Sequence, residues 1–131
     1  FGWYLKKIGS ISIDRNKITR ENLGFSEKIY SIIKTSNRPI IIFPQATRVA
    51  LEDRAHFKKG VARIYDDLRI KCQPIAINSG SVWPKFGKLT PKKTITVSIL
   101  KEIDSGMDRK EFINTLQENI YKELDLISNL S

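Results

Sequence analysis

Four apolar residues in a row, Ile40-Ile41-Ile42-Phe43, stand between Pro39 and Pro44. They limit what this chain can fold into more than any other feature. The run is short, rich in β-branched side chains and apolar on both faces, which predicts a central strand buried on both sides, as parallel strands are. The residue before a proline avoids helical backbone, so Asn37-Arg38-Pro39 must end whatever helix precedes the run.

The rest of the chain alternates around it. Ile11-Ser12-Ile13 predicts a short strand. From Thr19 the pattern turns helical, with Leu23, Phe25, Ile29, Ile32 and Ile33 on one stripe and Gly24 weakening the start. The polar stretch from Gln45 to Lys59 predicts a loop. Gly60 to Leu68 predicts a helix with Val61, Ile64, Tyr65 and Leu68 on one face. A strand over Gln73–Asn78 follows, then a Pro- and Gly-containing connection from Trp83 to Pro91. Strict alternation over Thr94–Leu100 predicts a half-exposed strand near a sheet edge. Asp108 and Glu111 form a capping box before Phe112, Leu116, Ile120, Leu124 and Ile127 at helical spacing. The order of elements predicts one α/β domain over residues 1–131, with a mostly parallel central sheet flanked by helices.

Composition removes several function classes. At 131 residues and 40% hydrophobic the chain can build a core, which excludes a disordered basic tail. One Cys excludes an internal disulfide, and one His with one Cys cannot build a thiolate-imidazole zinc site. No apolar run reaches membrane-spanning length. The chain begins Phe1-Gly2-Trp3-Tyr4, without an initiator Met or signal-peptide pattern, and is expected to be a piece of a longer protein. The net charge is +9, unevenly spread: residues 1–101 hold 20 basic and 7 acidic groups, residues 102–131 hold 3 and 7. A basic body with an acidic tail helix suggests an anionic partner: nucleic acid, an anionic membrane surface or a phosphorylated substrate.

There is no phosphate-binding P-loop, dinucleotide fingerprint or nucleophile elbow. Cys72 opens an apolar strand and reads as a small buried hydrophobe more than as a reactive thiol. The strongest local signal is Phe43-Pro44-Gln45-Ala46-Thr47-Arg48, after the most apolar strand, where open α/β sheets bind ligands. A Thr hydroxyl beside a guanidinium suits phosphate, one a neutral donor and the other a charged fork. The alternative is that both residues merely open a surface loop.

Four blocks in order, Gly9-Ser10-Ile11-Ser12-Ile13-Asp14-Arg15, Phe43-Pro44-Gln45-Ala46-Thr47-Arg48, Lys59-Gly60 and Pro74-Ile75-Ala76-Ile77-Asn78-Ser79-Gly80, resemble successive blocks of the glycerolipid acyltransferase family. The chain is most similar to its bacterial PlsC-type 1-acylglycerol-3-phosphate acyltransferases, and the resemblance runs from Phe1 to about Lys101. It implies transfer of a fatty acyl group from acyl-CoA or acyl carrier protein to a lysophosphatidate-like acceptor. The acceptor hydroxyl would attack the thioester directly, a route that calls for no metal or cofactor. The resemblance implies Arg15, Thr47 and Arg48 on the acceptor phosphate and Gln45 near the glycerol. Lys59 is a further candidate for anionic groups, although one Lys in Lys58-Lys59 reads equally as a solvated surface charge.

Two departures stand out. The family's Glu-Gly is Gln45-Ala46 here: Gln loses the charge, and Ala resists a positive φ that Gly would allow. The family's His-x-x-x-x-Asp catalytic block is absent, and the lone His56 is followed five positions later by Val61. The resemblance therefore implies that the block lies upstream of Phe1, that His56 is not the catalytic base, and that residues 1–131 alone are inactive. It also implies attachment to the cytoplasmic face of the inner membrane, where Trp3, Tyr4, Lys6 and Lys7 would form an aromatic-basic edge or simply pack as a first helix. Two rivals remain open, a non-catalytic phosphate- or lipid-binding module and a basic nucleic-acid-binding domain. The strands carry Ile, Val and Thr rather than aromatics, which argues against the second.

Overall fold

The computed structural model of the chain describes residues 3, 7, 25–36, 38–50 and 52–128. The strand expected at Ile11–Ile13, the block ending at Arg15, the helix start at Thr19, and Tyr4 and Lys6 lie outside the described residues. The chain divides into two compact units, Phe1–Ile41 and Ile42–Ser131.

In the first unit, helix α1 spans Phe25–Ser36. It stops where Pro39 requires, and Ile29 is buried as the stripe predicts. Trp3 is exposed, with the Lys7 ammonium 4.3 Å above its ring.

The second unit holds helix α2 (Lys59–Leu68), strand β1 (Ile75–Ile77), a 3₁₀ turn (Ser79–Ser81), strand β2 (Val97–Ile99) and helix α3 (Arg109–Ser128). Both helices bury most of the faces the sequence marks: Val61, Tyr65 and Leu68 on α2, with Ala62 buried and the expected Ile64 half-buried, and Phe112, Leu116, Tyr121, Leu124 and Ile127 on α3. Tyr121 is buried in place of the expected Ile120, which is half-buried. The Tyr65 and Phe112 rings stack at 3.7 Å between the two helices. The Tyr65 hydroxyl donates to the Asp104 carbonyl and accepts from the Met107 N–H at 3.1 Å, so the ring keeps its polar end satisfied.

The expected mostly parallel sheet is corrected for the described residues. Their one sheet has two antiparallel strands, with Ile75 opposite Ile99 and Ile77 opposite Val97. Further along the same pair, Cys72 and Ile103 exchange two backbone hydrogen bonds of 2.9 and 2.8 Å. Gln73 and Pro74 thus lie across from Leu100, Lys101 and Glu102, an extra residue that makes a bulge. The run Ile40–Phe43 is not a strand: Ile41 and Phe43 are each 78% exposed. Apolar β-branched composition favours a strand, but a strand exists only where a partner takes up its backbone groups. Among the described residues, only β1 and β2 form a ladder.

Alternation in β2 holds with its faces reversed from ordinary amphipathic packing. The covered face carries fully buried Ala76 and half-buried Ser98, whose hydroxyl donates to Glu123 of α3 at 2.6 Å. Small side chains there let α3 approach. Ile75, Ile77, Val97 and Ile99 occupy the open face.

One buried polar side chain joins these parts. At Asn78 the backbone turns out of β1 (φ −90, ψ 23), and its carbonyl accepts from the Ser81 N–H and hydroxyl at 3.0 and 2.9 Å. That carbonyl is lost to the ladder, and Asn78 Oδ1 replaces it by accepting the Thr96 N–H at 2.7 Å. Its Nδ2 donates to the Ile127 carbonyl at 3.5 Å, near the end of α3. Asn78→Ala removes these bonds and strands a backbone N–H, so it should lower the unfolding free energy by about 2–3 kcal/mol, read as a reduced urea midpoint.

The capping box is half present. Asp108 Oδ1 accepts from the N–H groups of Lys110 at 2.8 Å and Glu111 at 3.3 Å. These N–H groups hold the Asp108 carboxyl below its ordinary value. A depressed folded-state value means stability present above the unfolded-state pKa, from about pH 5 upward, and lost as pH falls through the folded-state value. Asp108→Asn keeps an acceptor without titrating, so its melting temperature should fall less steeply on acidification than the wild type's.

Candidate functional site

The segment from Phe43 to Lys58 forms a loop closed at its neck, where the Lys58 N–H donates to the Pro44 carbonyl at 2.8 Å. Inside the neck, the Ala46 N–H donates to the Phe43 carbonyl at 3.0 Å, making a turn with Pro44 at the position its fixed φ suits. Three contacts then pin the loop to α3. Gln45 Nε2 donates to the Tyr121 hydroxyl at 3.2 Å, and that hydroxyl donates to the Ala55 carbonyl. The Phe57 N–H donates to Gln117 Oε1 at 2.9 Å. Arg54 pairs with Asp125 and lies 5.2 Å over the Tyr121 ring.

Pinned this way, the loop forms one wall of an open cleft of about 1040 Å³. Thr47 and Arg48 stand on this wall. Gly80 and Ser81 of the 3₁₀ turn and Lys85, Phe86 and Lys93 of the following connection form the other wall, with Asp125 and Ser128 of α3 between. Asn78 thereby sets the second wall as well as the sheet register, because it starts the 3₁₀ turn. The cleft has both signs of charge, since Glu52 and Asp53 also line it. Arg54 is neutralised by Asp125, while Arg48, Lys85 and Lys93 make no ion pair among the described residues. These three cations beside the Thr47 hydroxyl can hold a phosphate or another multivalent anion.

The candidate residues separate on this map. Thr47 and Arg48 come together at the cleft. Gln45 is half-buried outside its lining, and its amide is used to anchor the loop to Tyr121. Lys59 is the exposed first residue of α2, and it does not line the cleft. Arg15 lies outside the described residues. His56 is exposed and also away from the cleft lining. Cys72 is half-buried, and burial pushes its thiol up, away from the reactive thiolate. Sequence reasoning did not find Lys85, Lys93 and Ser81. A signal was present: from Leu68 to Lys101 there are seven basic residues and no Asp or Glu.

Part of the acidic excess in residues 102–131 is used inside the fold. Glu102 and Asp104 pair with Lys71 at 2.7 and 3.2 Å and raise its ammonium above the ordinary value, and Asp125 takes Arg54.

Residues 1–78 match the family model described as Acyltransferase. A curated 1-acyl-sn-glycerol-3-phosphate acyltransferase from Pseudomonas aeruginosa is 29% identical over 99 residues. That alignment covers 76% of this chain and 38% of the relative, so the chain spans well under half of that protein's length. No solved structure matches the chain significantly.

Ala46 sits at φ 58, in the left-handed region that glycine adopts freely and a Cβ disfavours. The Gly-to-Ala departure from the family motif thus falls where backbone strain is real, on the order of 1 kcal/mol. Ala46→Gly should raise the melting temperature slightly, the relief being partly offset by the freer unfolded chain. Ala46→Val, β-branched at the same φ, should lower it. Thermal melts of the two variants against the wild type check both directions.

Proposed function

The chain belongs to the acyltransferase family, and from that premise we propose that it forms the acceptor-holding part of an enzyme that acylates a lysophosphatidate-like lipid. The observation that carries this reading is that Thr47 and Arg48 line one cleft together with Lys85 and Lys93. The name of the Pseudomonas aeruginosa relative, a 1-acyl-sn-glycerol-3-phosphate acyltransferase, supplies the acceptor class. Arg48 would grip the phosphate with its forked donors, and Thr47 would donate one neutral hydrogen bond. Arg15 of the Gly-x-x-x-Ile-Asp-Arg block is proposed as a second guanidinium on the same phosphate. Gln45 would act on the glycerol side by fixing the loop that carries Thr47. Lys59 would add only long-range attraction.

The reaction joins the acceptor's free hydroxyl oxygen to the acyl carbon of a thioester, from acyl-CoA or acyl carrier protein. The hydroxyl proton passes to a general base, the carbon–sulfur bond breaks, and the thiol leaves. Residues 1–131 contain no His-x-x-x-x-Asp block to supply that base. Their part is to bind and orient the acceptor, which raises the effective concentration of its hydroxyl at the thioester. A mostly parallel central sheet belongs to this reading of the whole enzyme. So does peripheral or monotopic attachment to an anionic membrane on its cytoplasmic face. The net charge of +9 supports that attachment.

In the full-length enzyme, Arg48→Ala should raise KM for a phosphorylated acceptor about tenfold to a hundredfold and leave KM for the acyl donor nearly unchanged. Equal effects on both substrates would overturn the assignment of Arg48. Residues 1–131 alone should show no thioester-dependent acyl transfer. Turnover by that piece that vanished in His56→Ala would reverse the reading of His56.

A further inference from the structure

The connection between β1 and β2 exposes more large apolar surface than a free-standing loop should. Trp83 is 63% exposed, Phe86 82% and Leu89 63%, all within seven residues. The loop holds itself in shape: the Thr90 N–H donates to the Val82 carbonyl at 2.9 Å across its neck, and Gly87 turns its tip at φ 116. Pro84 and Pro91 stiffen both limbs. Lys85, Lys88, Lys92 and Lys93 are all exposed around these side chains, and the Lys85 ammonium lies 5.3 Å over the Phe86 ring. No acidic residue occurs between Asp67 and Glu102 to balance them.

Exposed aromatics of this density mark an interaction surface. A protein partner or a base-stacking surface would also take aromatics, but the arrangement here is that of a bilayer interface. Trp with an apolar tip seats at headgroup depth, and long lysine side chains bury their stems while their ammonium groups reach lipid phosphates. The single sign of charge selects an anionic leaflet.

We propose that the loop Trp83–Lys93 docks this protein on an anionic bilayer, with Trp83, Phe86 and Leu89 entering the headgroup region and the four lysines on lipid phosphates. The proposal rests on the lipid-acceptor reading and deepens it. Phe86, Lys85 and Lys93 also line the cleft that holds Thr47 and Arg48, so an acceptor lipid would reach the phosphate site along the loop without leaving the membrane.

The test uses the full-length protein and sedimentation with vesicles of phosphatidylcholine, alone or mixed with phosphatidylglycerol, containing no acceptor lipid and with no turnover measured. Lys88→Glu/Lys92→Glu and Trp83→Ser/Leu89→Ser alter residues outside the cleft lining. Each should weaken binding to the anionic vesicles at least tenfold while circular dichroism stays unchanged. If either pair disturbs folding, Trp3→Phe in the otherwise native protein reports Trp83 against any other tryptophans subtracted with Trp3→Phe/Trp83→Phe. The Trp83 emission should shift to the blue on anionic vesicles. Anionic-vesicle binding unaffected by both pairs, or a Trp83 emission that does not move, overturns the proposal. So does labelled RNA whose binding, rather than that of vesicles, depends on Lys88 and Lys92. Failure of the acceptor reading shows instead in the Arg48→Ala kinetics, with vesicle binding intact.

Discussion

The buried carboxamide of Asn78 is the interaction on which the second unit depends. A strand that must turn sharply into a 3₁₀ turn loses a carbonyl from its ladder, and the opposing N–H would be left unpaired in a partly dry place. Asn can accept and donate at once, so one side chain fills the rung at Thr96 and still reaches the Ile127 carbonyl. Strand register, loop departure and helix position are thereby tied to a single residue. Asp could not donate to Ile127, and a hydrophobe could satisfy neither end.

Helix α3 does for the first wall of the cleft what Asn78 does for the second. Tyr121, Gln117 and Asp125 occupy successive turns along one side of the helix, and each holds a different point of the 45–58 loop. Among its described residues the loop forms no helix or strand, so beyond its turn and neck bonds its shape comes from side chains that reach out of α3. This arrangement places Thr47 and Arg48 without burying them. The strained backbone at Ala46 lies immediately before them, at the turn that aims the pair into the cleft. Both walls therefore rest on polar contacts with α3.

Helices α2 and α3 were legible in the sequence because periodicity is a local property and their apolar faces meet each other. The end of α1 was legible for an equally local reason, the proline that follows it. Ile40–Phe43 shows the opposite case: its composition is that of a buried strand, but pairing is set by other segments, and among the described residues no strand pairs with it. The two strands that do pair were located correctly, yet their direction and the inversion of their faces were not. Ala76 and Ser98 face the helix because they are small, and alternation alone cannot say which side a helix will cover.

For the site, the sequence by itself determined the identity and order of the chemical groups. Thr47 and Arg48 follow the Phe-Pro turn, a residue that resists positive φ stands at position 46, and one long segment is free of acidic charge, all because side-chain chemistry is written residue by residue. Tertiary structure alone decided which of these groups meet. It brought Lys85 and Lys93 into one cleft with Arg48, turned Gln45 toward Tyr121, and left Lys59 and His56 outside the cleft lining. The reason is physical: convergence of distant residues depends on where α3 and the β1–β2 pair pack, and that is fixed by burial and by polar contacts between segments far apart in the chain.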